Sequence, residues 1–287
     1  MEILRNPFLS AFEAVTRLGT THAAAKELRL TQTGVTQRIK SLEKGLSLTL
    51  FLRSRRGMAL TQEGQALLQL CRGMRELEGL FHSQVEGAGR QEVALTLTGP
   101  TSAISTRIAE NVQGLYQRFP FLRLHLESDD HGDLIEKVRR GEADLCVVPP
   151  SQVPNEMDSK LLKADRYFLV GPSAWKGRKL AEIVESERII DFYESDSTTK
   201  NYLATHGLQM GARRDRLFVN ENQALIRFFQ AGVGYGTLTE SVAEPFFRDG
   251  SLISLHKGQA LEQPLALAWY PRPRKMPYFE ELVKAVK

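Results

Sequence analysis

Only two cysteines, Cys71 and Cys146, occur in 287 residues. They exclude a disulfide framework, and neither belongs to a CxxC or Cys/His cluster, so no structural zinc site is expected. Cys146 lies in the apolar run Leu145-Cys146-Val147-Val148 and reads as core, while Cys71 lies on a long helix and reads as packing rather than a redox switch. The six histidines are scattered without metal-ligand spacing. No apolar run is long enough to cross a bilayer and no hydrophobic leader is visible, which leads to the expectation of a cytoplasmic protein. No Gly-x-Ser-x-Gly elbow or acid/base pair appears, so no catalytic residue, metal or cofactor is expected. Gly232-Val233-Gly234-Tyr235-Gly236 looks like a dinucleotide loop in the wrong place. It follows a helix and enters a strand, whereas a phosphate loop follows a strand and opens a helix. Tight turning and close packing explain these glycines.

Positive charge is concentrated rather than abundant. The formal net charge is +4, yet residues 1–60 hold ten basic and four acidic residues, a net of +6, and the rest hold 28 and 30, a net of −2. Such a segment suits a phosphate-binding surface, and equally a solvated helical domain. With 42% apolar residues the chain can bury more than one core.

Residues 21–43 favour the phosphate reading. Ala24, Ala25 and Leu28 mark the buried face of one short helix; Val35, Ile39 and Leu42 mark that of a second, at spacings of four and three. They join near Arg29-Leu30-Thr31, and Thr31 is placed to cap the second. This is a helix-turn-helix. Its second helix exposes Gln32, Thr33, Thr36, Gln37, Arg38 and Lys40, where a recognition helix meets base edges. A helix over 6–18, with Phe8, Phe12 and Val15 on one side, precedes it and ends at Gly19. Residues 48–60 read as two short strands about a basic turn, a wing bringing Arg53, Arg55 and Arg56 beside the recognition helix. Thr61 caps a helix running to about residue 86, in which Leu67, Leu70, Met74, Leu77 and Phe81 form a heptad seam that predicts self-association. Gly87-Ala88-Gly89 is a hinge.

From residue 93 the pattern changes to strands alternating with helices, which predicts a parallel α/β sheet. Strands are expected at 93–98, 122–126, 144–148, 167–170, 188–191, 217–219, 234–238, 252–255 and 265–269. Helices are expected at 101–119, 134–140, 197–205, 222–231, 239–248 and 275–286. The segments 149–154 and 259–264 read as crossings between two subdomains.

The run Ala24-Ala25…Leu28…Thr31-Gln32…Val35-Thr36…Ile39…Leu42-Glu43, followed by Leu50-Phe51, Arg53 and Leu60-Thr61…Gly64, resembles the LysR-type transcriptional regulators. The resemblance extends over essentially the whole length through Gly141-Glu142-Ala143-Asp144-Leu145 and Ala231–Gly236. Gln37-Arg38-Ile39-Lys40 is similar to the arginine/lysine-responsive branch. Gly34 stands where the family usually has alanine, Thr36 where it has serine and Thr239 where proline is common. The resemblance implies an all-α winged helix-turn-helix domain at 1–60, a linker helix and hinge for dimerisation at 61–89, and an α/β effector-binding domain at 90–287. That domain would be two-lobed, like periplasmic binding proteins, with one lobe near 90–150 and 265–287 and the other near 155–260. It also implies dimers or tetramers that bend promoter DNA at interrupted palindromes. Promoter DNA, a small effector, further copies of the chain and RNA polymerase are the partners on this reading, with no membrane.

Within that frame, base specificity is expected from Gln32, Thr33, Thr36 and Gln37, since a glutamine amide pairs with adenine and a threonine methyl meets a thymine methyl. Phosphate contacts should be salt-sensitive; Arg38 reads guanine or holds phosphate, with phosphate favoured, and the wing arginines reach phosphates or a minor groove. Ligands of two-lobed α/β domains sit beyond strand C-termini. Thr101, Ser102 and Ser128 from one lobe, and Thr198, Thr199, Asn220, Glu221 and Asn222 from the other, are the expected effector contacts. Each is individually also explained as a helix cap. The effector expected is a small polar molecule such as an amino or organic acid. A solute-binding receptor without DNA-directed function is the alternative, disfavoured by the basic first 60 residues. An enzyme with an appended DNA-binding domain lacks a visible nucleophile.

Overall fold

A computed structural model of the chain describes residues 6–54, 57–85, 93–130, 132–213, 215–272 and 276–287. The first helix, α1 (Pro7–Leu18), begins where the Asn6 side chain accepts the Phe8 and Leu9 N–H groups and stops at Gly19, whose φ of +71° suits glycine. Thr20 and Thr31 cap α2 (Thr21–Leu28) and α3 (Gln32–Leu46), their hydroxyls accepting from Ala23 N and Gly34 N. Arg29, with φ +55°, makes the turn between them. Strands β1 (Phe51–Ser54) and β2 (Gly57–Leu60) pair antiparallel, Phe51 opposite Leu60 and Arg53 opposite Met58. This is the expected wing hairpin; Arg55 and Arg56 lie outside the described residues. Thr61 then accepts from Gly64 N at 2.9 Å and opens α4 (Gln62–Val85).

One apolar core joins these elements. Phe12 and Val15 of α1, Ala24 and Ala25 of α2, Val35 and Ile39 of α3, Leu50 and Phe51 of the wing, and Leu68 and Cys71 of α4 are all buried in it. The apolar spacing that made α3 recognisable in the sequence is therefore the spacing that seats it. Gly64 permits the closest approach: a Cβ there would lie 2.2 Å from the Leu50 carbonyl oxygen.

The later strands are β3 (Val93–Gly99), β4 (Leu122–Ser128), β5 (Leu145–Val148), β6 (Asp158–Pro172), β7 (Ile189–Asp191), β8 (Arg216–Phe218), β9 (Gly236–Thr239), β10 (Leu252–Ser254) and β11 (Ala260–Trp269). The later helices are α5 (Thr101–Ala103), which continues through a π-helical turn into α6 (Ala109–Val112), then α7 (Leu115–Arg118), α8 (Leu134–Arg139), α9 (Leu180–Ser186), α10 (Thr198–Thr205), α11 (Asn222–Gln230), α12 (Glu240–Arg248) and α13 (Pro277–Ala285). Contacts divide the chain into two compact units. The first comprises Met1–Ile104, Ile108–Lys160 and Ala266–Lys287; the second comprises Ser105–Arg107 and Leu161–Leu265.

In the first unit β3 runs parallel to β4 on one side and β5 on the other, and the end of β11 pairs antiparallel with β5. In the second, β9 and β10 pair antiparallel with β6, and β7 runs parallel to β8. The expectation of a parallel sheet is thus corrected to a mixed one. Parallel neighbours need a crossover of a dozen or more residues, usually helical. No α-helix precedes β6 after β5, or β11 after β10, so neither strand is returned to the common direction. The chain passes between units within β6, after Lys160, and within β11, after Leu265, whereas the sequence placed the crossings at 149–154 and 259–264.

The glycines of the false dinucleotide loop are packing residues. A Cβ at Gly234 would meet the Arg188 carbonyl oxygen at 2.4 Å, and one at Gly236 would meet the Ile190 carbonyl oxygen at 2.3 Å and the Phe229 ring at 2.9 Å. Replacing Gly236 by alanine is expected to destabilise the fold by about 1–3 kcal/mol, the usual range for overpacking. Equilibrium denaturation checks this; a variant as stable as the parent contradicts it.

Candidate functional site

The basic unit end presents α3. Gln32, Thr33, Gln37 and Lys40 are exposed, and Thr36 and Arg38 are half-buried. The Gln32 amide nitrogen donates to Thr21 Oγ1 at 3.2 Å, and the Thr36 hydroxyl donates to the Gln32 carbonyl at 2.9 Å. At 100° per residue Gln32, Thr33, Thr36, Gln37 and Lys40 fall on one face of α3, while Arg38 lies at the other edge of its apolar face. Glu43, further along α3, was missed as a structural element. One of its carboxylate oxygens accepts Leu50 N at 2.9 Å and Phe51 N at 3.4 Å, tying the entry of the wing to the recognition helix. Arg53 is paired through its backbone in the hairpin.

On α4 the predicted seam divides. Leu70, Met74 and Leu77 are 57%, 45% and 55% exposed, an apolar stripe left uncovered by the described residues. Leu67 instead packs against the core of the helix-turn-helix. The Phe81 side chain lies outside the described residues. Cys71 faces the core; burial, and the nearby Glu13 carboxylate, push its thiol up to about 11. Burial pushes Cys146 up to about 12.

The predicted effector contacts sit at strand ends, but their helix-start donors are already engaged. Ser128 ends β4 opposite Gly99 at the end of β3, and Thr101 follows. The Asp130 carboxylate accepts both the Thr101 N–H at 2.9 Å and the Thr101 hydroxyl at 2.6 Å. Neighbouring Asp129 is neutralised by Lys137, 2.6 Å away, which also pairs with Glu127 at 2.7 Å. The hydrogen bonds that the Lys137 ammonium donates to Asp129 and Glu127 raise its pKa. Ser102 lies half-buried beside Thr101.

The second unit repeats the arrangement. Asp196 accepts Thr198 N at 2.8 Å. The Glu221 carboxylate accepts Gln223 N at 2.9 Å and Ala224 N at 2.7 Å, and these two N–H groups hold its pKa below the ordinary carboxylate value. Thr199 is buried, its hydroxyl paired with that of Thr237 at 3.0 Å. Asn220 is exposed and Asn222 half-buried at the start of α11. Beneath them Arg216 and Asp191 form a sealed ion pair at 2.5 Å, and Arg216 also donates to the carbonyls of Asp196 and Glu194. This fixes the loop that carries Asp196. Burial raises the Asp191 pKa, opposed by the Thr199 and Arg216 hydrogen bonds. Sequence reasoning found the helix starts but not two of the acids that hold them: Asp130 lies 29 residues from Thr101 with nothing local to mark the pairing, whereas Asp196 is only two residues before Thr198.

The LysR substrate binding domain model matches residues 88–287, and that of the bacterial regulatory helix-turn-helix protein, lysR family, matches residues 8–65. The chain belongs to the LysR family of regulators. The HTH-type transcriptional regulator ArgP of Enterobacter sp. (strain 638) is 27% identical over 278 residues, 93% of this chain and 91% of that protein. YofA of Bacillus velezensis is 30% identical over 140 residues, 49% of either chain. The chain thus spans about half the length of YofA and several other curated relatives it matches. Among solved structures, ArgP from Mycobacterium tuberculosis superposes with a TM-score of 0.76 at 23% identity, covering 99% of this chain and 96% of that one. Full-length LysG from Corynebacterium glutamicum with bound effector Arg gives 0.73 at 21% identity, covering 98% and 96%. These likenesses establish the fold: an N-terminal helix-turn-helix followed by a mixed α/β substrate-binding domain. Among the described residues no helix is long and apolar enough to cross a membrane.

Both thiols are expected to resist Ellman's reagent in the native chain and to react only on unfolding. Release of a full equivalent of thionitrobenzoate within minutes, under native conditions, contradicts their placement.

Proposed function

We propose that the chain is a sequence-specific DNA-binding transcriptional regulator whose C-terminal domain senses a small cationic metabolite. The observation that carries the DNA reading is the uninterrupted polar face of Gln32, Thr33, Gln37 and Lys40 on a helix seated by its opposite, apolar face. Gln32, Thr33, Thr36 and Gln37 read bases, while Arg38, Lys40 and the wing arginines Arg53, Arg55 and Arg56 hold phosphates. The Thr36 hydroxyl proton is spent within its own helix, so its methyl is the group offered to a thymine. The stripe of Leu70, Met74 and Leu77, which the sequence spacing continues to Phe81, joins two copies of the chain, giving a dimer or tetramer able to span two half-sites. RNA polymerase is a further partner on this reading, the compartment is the cytoplasm, and the chain catalyses no reaction.

The sensor reading rests on the capping carboxylates. Thr101, Ser102 and Ser128, and Thr198, Thr199, Asn220, Glu221 and Asn222, mark strand ends where a ligand binds. The N–H groups of Thr101 and Thr198 are held by Asp130 and Asp196. What these ends offer a ligand is negative charge, so the complementary head group is an ammonium or guanidinium. A basic amino acid has that chemistry, in keeping with the arginine bound by LysG of Corynebacterium glutamicum.

Gln37→Ala should lower affinity for a duplex selected from a randomised library by about 5- to 100-fold, the value of one good base contact, and leave scrambled DNA nearly unaffected. Equal losses on both duplexes, in fluorescence anisotropy at fixed salt, count against its base-reading role. Asp130→Asn should weaken L-arginine binding about 10-fold in calorimetry, the order of one charge-assisted contact. Unchanged arginine affinity, or an affinity for dicarboxylates exceeding that for arginine in the parent chain, removes the cationic effector.

A further inference from the structure

We infer that Arg72 is a positioning residue for the regulatory response: it clamps the first half of α4 onto the turn that leads from α8 into β5. The clamp lies wholly within the first unit. Arg72 is on α4, on a different face from the exposed Leu70, Met74 and Leu77 stripe, and its Nη2 donates to the carbonyl oxygens of Val138, at 3.3 Å, and Ala143, at 3.0 Å. Val138 belongs to the last turn of α8, whose carbonyls form the negative end of the helix, and its oxygen also accepts Gly141 N at 3.2 Å. A guanidinium is therefore matched to the turn in both geometry and charge.

Asp144, immediately beyond, is the counter-charge. Its carboxylate accepts Thr96 N at 2.9 Å and pairs with Arg272 at 3.1 Å, while its own N–H donates to the Thr96 carbonyl at 2.8 Å. Burial pushes the Asp144 pKa up and the Arg72 charge holds it down; burial likewise lowers the Arg72 pKa, opposed by Asp144. Thr96 is central in β3, whose far end leads to Thr101. One half-buried cluster thus ties α4, β3, the start of β5 and the segment after β11.

Gly141 shows how closely the turn is fitted. It has φ +77°, and a Cβ there would stand 3.2 Å from Arg72 Nη2 and 3.5 Å from a Leu68 methyl. Leu68 is itself part of the core that seats α3. From the recognition helix, through Leu68 and Arg72, to the β3–β5 sheet there is consequently one continuous chain of contacts. The consequence for regulation rests on the DNA-binding reading above; the clamp itself is read independently of it.

The test uses the full-length chain and hydrogen–deuterium exchange. In Arg72→Met, segments 66–74 and 138–146 should exchange at least 5-fold faster than in the parent, with segment 32–46 unchanged. Arg72→Lys, whose ammonium can reach the same carbonyls, should restore protection. Its affinity for the parent-selected duplex should stay within 2-fold of the parent's, while that of Arg72→Met should change at least 5-fold. In the parent, peptide mapping after phenylglyoxal treatment should show exposed Arg248 modified and Arg72 protected, which holds whether or not Arg72→Met folds. Arg72 modified as fast as Arg248, exchange unchanged in Arg72→Met, or acceleration that lysine fails to reverse overturns the proposal. A parent chain that selects no duplex at all, with the exchange results as expected, would instead remove the DNA reading and leave the clamp standing.

Discussion

The apolar core shared by α1, α2, α3, the wing and the start of α4 is the constraint on which the rest depends. Phe12, Val15, Val35, Ile39, Leu50, Phe51 and Leu68 are each nearly sealed from solvent within it. Burial of this kind contributes roughly 1.5–3 kcal/mol per large side chain. The orientation of α3 is therefore not independent of α4: moving one relative to the other opens the core. Polar groups refine the same arrangement, with Thr31 capping α3 and Glu43 holding the wing entrance, each contact adding about 1 kcal/mol or somewhat more.

The second organising theme is the use of internal carboxylates at strand ends. Asp130, Asp196 and Glu221 each satisfy helix-start N–H groups that would otherwise seek an anion. This inverts the simplest expectation for such termini, which is attraction of an external carboxylate or phosphate. The sealed Asp191–Arg216 pair serves a different purpose. It has exchanged its charges for fixed geometry and holds the Asp196 loop through two backbone carbonyls.

The helical N-terminal region was legible in the sequence because its signals are local. Apolar spacing at Val35, Ile39 and Leu42, a capping threonine and a terminating glycine all act within one or two turns. The same holds for the parallel strands β3, β4 and β5. What escaped the sequence is non-local. The first half of β6, Asp158–Arg166, alternates charged and apolar residues too irregularly to stand out, and is held as strand by its neighbours. α9 is short and was overlooked. Strand direction in β6 and β11 depends on the absence of a crossover, which side-chain periodicity does not encode. The division of the heptad seam, with Leu67 turned to the core and Leu70 outward, depends on which face of α4 the helix-turn-helix occupies. The carboxylate caps at Thr101 and Arg72 reaching the α8 turn join residues 29 and 66 positions or more apart, beyond any local pattern.

In the proposed function α3 is laid into the major groove of a duplex by a dimer built on α4. Hydroxyl-radical footprinting of the full-length chain on the DNA preceding its own gene tests this most directly. Two protected half-sites separated by about one helical turn, or a multiple of it, are expected, with protection fading as salt rises. Uniform cleavage along both strands at near-physiological salt, with and without basic amino acids, would contradict it.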